Sequence, residues 1–107
     1  MEIREYLDAR GHSPFAAWFD RLDAQAAAKV TVALSRLAQG HRANIKAVGT
    51  GVAEYRIDFG PGYRVYFGWD GETLVILLAG GTKKRQQADI ANAQARWAEY
   101  RKRKRGD

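Results

Sequence analysis

The fold is decided by residues 52–90, which read VAEYRIDFGPGYRVYFGWDGETLVILLAGGTKKRQQADI. Polar and apolar residues alternate over residues 52–59, with the period of two that is typical of a strand with one buried and one solvated face. A Gly-Pro-Gly turn at 60–62 supplies the backbone freedom that a tight reversal needs. Alternation resumes over residues 63–69. The two segments therefore predict a β-hairpin.

A third strand follows directly. The Asp-Gly pair at 70–71 is typical of a hairpin turn, and the apolar run at 73–79 predicts a strand that is buried on both faces. We therefore expect three antiparallel strands, with Arg56 and Arg64 on the polar face of the first hairpin. The two arginines are either ordinary solvated residues or part of an anion site, and the sequence leaves both interpretations open.

The segment at 80–85, GGTKKR, favours the anion site. Its two glycines permit close approach to the backbone, and three consecutive cations come directly after them. From Gln87 the sequence becomes helical, with the apolar face of the helix expected to lie on the sheet. That face is expected to consist of Ile90, Ala93, Trp97 and Tyr100.

The remainder of the chain predicts a short strand and a helical hairpin. Residues 2–7 alternate weakly, as in a first strand. Ser13-Pro14 is a helix start, and the aromatic stripe that follows is typical of a core face rather than a base-stacking platform. Asp23 caps a second helix that is expected to end near Gln39. Residues 41–51 are expected to form a loop or an edge strand that carries Lys46.

The charge is distributed unevenly. Residues 1–28 contain three Lys and Arg against five Asp and Glu, whereas residues 29–107 contain fifteen against seven, a net charge of +8. Such an excess favours polyanions, nucleic acid above all, without choosing between RNA, DNA and an acidic protein. Residues 101–107 contain five consecutive cations and are expected to form a solvated, frayed basic tail.

Composition excludes several other classes of protein. The chain has no cysteine, so disulfides and thiolate metal sites are excluded, and its two histidines, His12 and His41, do not form a ligand pair. We expect neither a metal nor another cofactor. No segment approaches the roughly 20 apolar residues that span a bilayer, and no signal peptide is evident. We therefore expect a cytoplasmic protein that has no membrane contact.

Two segments carry a family resemblance. The stretches AEYRIDFGPGYRVYF and LLAGGTKKRQQADIANAQ resemble the toxins of the RelE/ParE superfamily, which belong to type II toxin-antitoxin systems. Within that superfamily they are most similar to the HigB-like addiction module killer proteins. The resemblance implies a single α+β domain over residues 1–107 with a RelE-like fold. In that fold a small, mostly antiparallel, twisted sheet has a helical hairpin on one face and is followed by a C-terminal helix.

The resemblance also implies an activity and partners. It implies a metal-independent endoribonuclease that cuts messenger RNA on the ribosome, where the 2′-hydroxyl of the RNA attacks the adjacent phosphate. The implied protein partner is a helix-turn-helix antitoxin, and operator DNA is contacted only through that antitoxin. Two other readings stay open. One is a ParE-like inhibitor that binds DNA gyrase without cleaving RNA, and the other is an inactive homologue that acts only as a co-regulator of transcription.

Site residues follow from the matched motif. Arg64 matches the most recognisable arginine of the RelE-type pattern and is expected to stabilise the transition state, since its planar fork binds phosphate and stays charged. Arg56 is expected to hold a phosphate, and Lys83 is the candidate acid or base. The tyrosines near Arg64 either stack on a base or pack in the core. Expected RNA contacts are Lys46, Tyr63, Tyr66, Lys84, Arg85 and Gln86.

The identity of the general base is left open. Some RelE-type enzymes have a tyrosine on the final helix as the base, but residues 87–90 of this chain contain none. Histidines near the C-terminus, used in HigB-type enzymes, are also missing. Asp89 is a possible acid or base. Its alternative role is electrostatic, either at the N-terminus of the helix or in a salt bridge to Lys83 or Arg85.

Overall fold

The computed structural model describes residues 1–106. None of the helices in this part of the chain combines the length and the apolar character needed to cross a membrane. A short 3-10 turn, Lys83–Arg85, separates the last strand from the last helix. The elements are β1 (Glu2–Glu5), α1 (Pro14–Asp20), α2 (Ala24–Ala38), β2 (Ile45–Ala47), β3 (Val52–Ile57), β4 (Tyr63–Asp70), β5 (Leu74–Thr82) and α3 (Gln86–Arg105).

The strands form one five-stranded sheet in the order β1-β5-β4-β3-β2. The neighbours β2 to β5 are antiparallel, as predicted for the three strands of residues 52–79, whereas β1 lies parallel to β5. The turn at 60–62 is confirmed, with both glycines at positive φ. A mixed α+β architecture is therefore confirmed.

The helical hairpin covers one face of the sheet. Its two helices begin where the sequence predicts: the Ser13 hydroxyl accepts a hydrogen bond from the Ala16 amide (3.0 Å), and the Asp23 carboxylate accepts one from the Ala26 amide (2.8 Å). The apolar side chains between the hairpin and the sheet form a continuous core. Its buried members are Phe15, Val30, Ala33, Leu37, Ala53, Tyr55, Ile57, Val65, Phe67, Val75 and Leu77.

The opposite face of the sheet is covered by α3, which corrects one expectation. The alternation in β3 predicts a solvated polar face, but Glu54 on that face is fully buried and only Arg56 is exposed along the strand. The apolar face predicted for α3 is confirmed. Its residues pack into a second core with Tyr6, Val52, Tyr66, Ile76, Leu78 and Ala79. A period of two separates the two faces of a strand, but it does not show whether another element covers the polar face. The sequence therefore predicts a solvated face where α3 lies.

Two glycines allow indole rings to lie directly on the sheet, one on each face. A Cβ atom at Gly80 would lie 2.0 Å from the Trp18 ring of α1, and one at Gly68 would lie 2.4 Å from the Trp97 ring of α3. The missing side chains of both glycines therefore allow the helices to pack closely against the sheet. Gly80 is also inside β5, which continues to Thr82, and the anion-binding role of the Gly-Gly pair stays a prediction.

The basic C-terminus is not a frayed tail. Helix α3 continues to Arg105, so the five cations are helical, and Asp107 lies outside the described residues. Arg103 forms an ion pair with Glu99, and its Nη1 donates to the Leu7 carbonyl (2.8 Å). Lys104 and the Tyr100 hydroxyl both bind the Asp70 carboxylate, which ties the end of the helix to the sheet.

Substitution of Gly68 by Ala tests the contact between the sheet and α3. The added methyl group overlaps the Trp97 ring, so we expect a loss of about 1–3 kcal/mol in the free energy of unfolding, measured by urea denaturation. In a Trp97→Leu background the overlap is relieved, and the additional cost should fall to near zero. An equal cost in both backgrounds would contradict this account.

Candidate functional site

Strand register places the expected cationic residues on one face of the sheet. Arg56 lies opposite Arg64, and Arg64 lies opposite Gly81 on β5. In the next row, Lys46 lies opposite Glu54. Because directly opposed residues share a face, all of these side chains lie on the side covered by α3. Arg56 and Arg64 therefore lie side by side on neighbouring strands, an arrangement that the sequence left open.

Arg64 lies at the centre of this arrangement and is largely buried, with 8% of its surface exposed. Its Nε lies 3.6 Å from the Glu54 Oε1 atom in an ion pair. Its Nη1 donates to the Tyr63 carbonyl at 3.3 Å. The guanidinium is thus held by the protein on two sides, an environment that the hairpin sequence does not reveal.

Lys83 lies close to Arg64, across the turn at residues 60–62. Its amide donates to the Gly62 carbonyl at 2.8 Å. A Cβ atom at Gly62 would lie 3.4 Å from the Lys83 Cβ and 3.7 Å from the Arg64 Nη1. Gly62, at φ +80°, therefore leaves the space in which the two side chains approach each other. Lys83 itself is exposed.

Glu54 is the residue that sequence reasoning missed. It is fully buried, pairs with Arg64 and accepts a hydrogen bond from the Gln86 Nε2 at 2.7 Å. The available signal was its position on the same face as Arg56 and Arg64, since a carboxylate there offsets two like charges. Gln86 joins the start of α3 to the sheet, and its contact with RNA stays a prediction.

Four buried polar atoms near the start of α3 have no hydrogen-bond partner. They are the Glu54 Oε2, the Arg64 Nε, the Tyr66 hydroxyl and the Asp89 Oδ2. Buried polar atoms cost stability when they are unpaired, and here they lie together as a polar cluster between α3 and the sheet. Within residues 1–106, no group of three or more His, Cys, Asp and Glu side chains is arranged to hold a metal ion.

The two tyrosines that are expected to contact RNA lie on opposite faces of the sheet. Tyr66 is fully buried, and burial together with the negative charge of Glu54 raises its pKa above the usual value. Tyr63 lies on the opposite face, where its ring meets Trp18 edge-on at 6.2 Å between centroids. Both rings pack within the protein, and base stacking by the half-buried Tyr63 stays a prediction.

Asp89 packs against the backbone of β5. Its Oδ2 lies 1.9 Å from where a Cβ at Gly81 would be, so its carboxylate fills the space above that glycine. Burial raises the pKa of Asp89, and the positive charges of Arg85 and Arg96 oppose the shift. The expected salt bridge to Lys83 or Arg85 is not formed, because among the residues described neither cation is paired with Asp89 within 4.0 Å.

The other expected contacts are at the periphery. Lys46 is exposed on the edge strand β2, and Lys84 and Arg85 are exposed in the 3-10 turn. Lys84 and Arg85 extend the cationic surface beyond Lys83, whereas Lys46 lies at the far side of Glu54. Exposed cations therefore lie on two sides of the largely buried Arg64.

The Asp89→Asn variant tests the raised pKa. Since the folded state favours the protonated carboxyl, folding of the ionised form is penalised; the penalty is absent below the unfolded pKa of 3.8 and complete above the raised folded value. Urea unfolding of both proteins should therefore show an advantage for Asp89→Asn that grows as the pH rises from about 4 to neutrality. An advantage that shrinks over this range would contradict the assignment.

Comparison with known proteins places the chain in a family. An uncharacterized protein from Haemophilus influenzae is 43% identical over 81 residues, which cover 75% of this chain and 82% of that protein. The family model described as phage derived protein Gp49-like (DUF891) matches residues 17–101. The match contains every site residue described above. The chain therefore belongs to the Gp49-like family (DUF891), a toxin-like family related to addiction modules.

Proposed function

We propose that this protein is the toxin of a type II toxin-antitoxin module and acts as an endoribonuclease on messenger RNA. Membership of a toxin-like family supports the first part. The observation that carries the second is the approach of Arg64 and Lys83 at Gly62, with Arg56 directly opposite Arg64. The fold is proposed to be of the RelE type, with its helical hairpin and α3 on opposite faces of the sheet.

The proposed reaction is an attack by the RNA's own 2′-hydroxyl on the adjacent phosphorus. The new bond joins the 2′ oxygen to phosphorus, and the bond to the 5′ oxygen of the next nucleotide breaks. A base must take the 2′ proton, and an acid must protonate the leaving oxygen. Positive charge must also stabilise the phosphorane, whose oxygens gain negative charge.

Arg64 and Arg56 are proposed to supply that charge. Arginine stays ionised, and its free N–H groups can donate to phosphate oxygens. Arg64 is fixed by Glu54 and by the Tyr63 carbonyl, so little reorganisation is needed when charge develops. Arg56 is exposed and is proposed to hold the neighbouring phosphate.

Proton transfer is proposed for Lys83, with Asp89 as the second candidate. Lys83 is exposed beside the Arg64 guanidinium, so a bound phosphodiester can reach it. Asp89 has an unpaired Oδ2 and a pKa that burial raises above its usual value, and both features favour a carboxyl that can exchange a proton. Its Oδ2 lies against Gly81, but the residue is only half-buried and borders a surface pocket with Thr82, Arg85 and Arg96.

The proposed partners follow from the same assignment. The toxin is proposed to act in the cytoplasm on messenger RNA bound to the ribosome. A helix-turn-helix antitoxin is proposed to bind the toxin and to carry it to operator DNA. An acidic segment of the antitoxin would be complementary to the basic surface around Lys83, since residues 29–107 have an excess of eight positive charges.

Arg64→Ala tests the enzymatic proposal. In a translating bacterial extract, the wild-type protein should produce new message ends by primer extension, and Arg64→Ala should reduce them by about 100-fold or more. Arg10→Ala removes an exposed arginine near the start of α1 and should leave cleavage unchanged. If expression of the protein in cells arrests growth but no new message ends appear, a protein target such as DNA gyrase would be favoured instead.

Lys83→Arg separates charge from proton transfer. Arginine keeps the positive charge but does not release its proton, so we expect RNA binding to be retained while the cleavage rate falls by about 100-fold. Lys102→Arg, at an exposed position of α3, is the matched control. A Lys83→Arg protein that cleaves at the wild-type rate would remove Lys83 from the proton-transfer step.

A further inference from the structure

We infer that Glu54 is a positioning residue that holds both halves of the proposed site together, Arg64 on β4 and Lys83 in the 3-10 turn before α3. The inference rests on the proposed function and extends it to a residue that does not itself face solvent. Glu54 lies between the two elements and contacts each through one side-chain oxygen, Oε1.

The first contact orients the guanidinium. The Glu54 Oε1 lies 3.6 Å from the Arg64 Nε, and the Tyr63 carbonyl accepts from Nη1. With Nε and Nη1 turned toward the protein, Nη2 is the nitrogen left to meet a ligand. The Arg64 side chain is 10% exposed, as expected of a group whose outer edge alone reaches the surface.

The second contact fixes the element that carries Lys83. Gln86 donates to the same oxygen at 2.7 Å, and it directly follows the 3-10 turn Lys83–Arg85. The Lys83 amide is bonded to the Gly62 carbonyl at 2.8 Å. The turn is therefore held at both ends, and one of its two anchors is Glu54.

Packing alone does not account for this carboxylate. Glu54 is 0% exposed, and its Oε2 has no hydrogen-bond partner. A buried ion pair adds little stability compared with apolar side chains of similar size, because both charges lose their hydration. The effect of the carboxylate is instead on the position and charge of Arg64, whose guanidinium would otherwise be buried without a counterion.

This role predicts a separation of binding from catalysis. Glu54→Gln keeps the size of the side chain and an oxygen that accepts from Gln86, but it removes the charge that holds Arg64. It also removes a negative charge near the phosphate site. RNA affinity should therefore be equal or higher, while the cleavage rate should fall by about 10- to 100-fold, as for a small displacement of a reacting group.

The experiment measures single-turnover cleavage of a ribosome-bound message by four proteins: wild type, Glu54→Gln, Arg64→Ala and the double variant. Affinity is measured separately with an RNA that carries a 2′-deoxynucleotide at the cleaved position. Glu72→Gln, at an exposed position in the turn between β4 and β5, is the matched control and should behave as wild type. Thermal unfolding establishes that each protein is folded at the assay temperature.

The inference predicts a lower rate for Glu54→Gln with undiminished affinity, and no further loss when Glu54→Gln is added to Arg64→Ala. A wild-type rate for Glu54→Gln, or an equal loss in both backgrounds, would overturn it while leaving the proposed function intact. Absence of cleavage by the wild-type protein would overturn the proposed function, and this inference with it. If Glu54→Gln does not fold, Glu54→Asp replaces it, with a smaller loss of rate expected and a wild-type rate contradicting the role.

Discussion

The burial of Glu54 and Arg64 beneath α3 is the constraint on which the rest of this structure depends. A carboxylate and a guanidinium are removed from water together, and the first turn of α3 covers them through Gln86. Loss of either charge would leave the other buried and unpaired, which is far more costly than the pair itself. The position of the helix, the 3-10 turn before it and the turn at 60–62 are thereby linked to a single ion pair.

This arrangement explains how a small domain can keep a cationic site in place. The two indole contacts, Trp18 on Gly80 and Trp97 on Gly68, hold helices on opposite faces of the sheet, so the apolar core carries the stability. The polar cluster near the start of α3 is expected to add less stability than the apolar core, because buried polar groups lose their hydration. Functional sites often have a lower local stability where charged groups meet. The polar cluster therefore agrees with the proposed ribonuclease chemistry.

Much of the fold could be predicted from the sequence because local signals are strong. The caps at Ser13 and Asp23, the turn at 60–62 and the spacing of the aromatic face of α3 each specify an element on their own. The site was less predictable, because its properties come from contacts between elements. The burial of Glu54 and the packing of Asp89 on Gly81 depend on where α3 lies. No period in the sequence encodes that position.

The central claim is that the RNA's own 2′-hydroxyl is the nucleophile and that Arg64 and Lys83 assist it. The most direct measurement is the chemistry of the ends left on a message cleaved by the purified protein on ribosomes. Attack by the 2′-hydroxyl predicts a 2′,3′-cyclic phosphate on the upstream fragment and a 5′-hydroxyl on the downstream fragment. A 5′-phosphate on the downstream fragment would show that water is the nucleophile and would contradict this account.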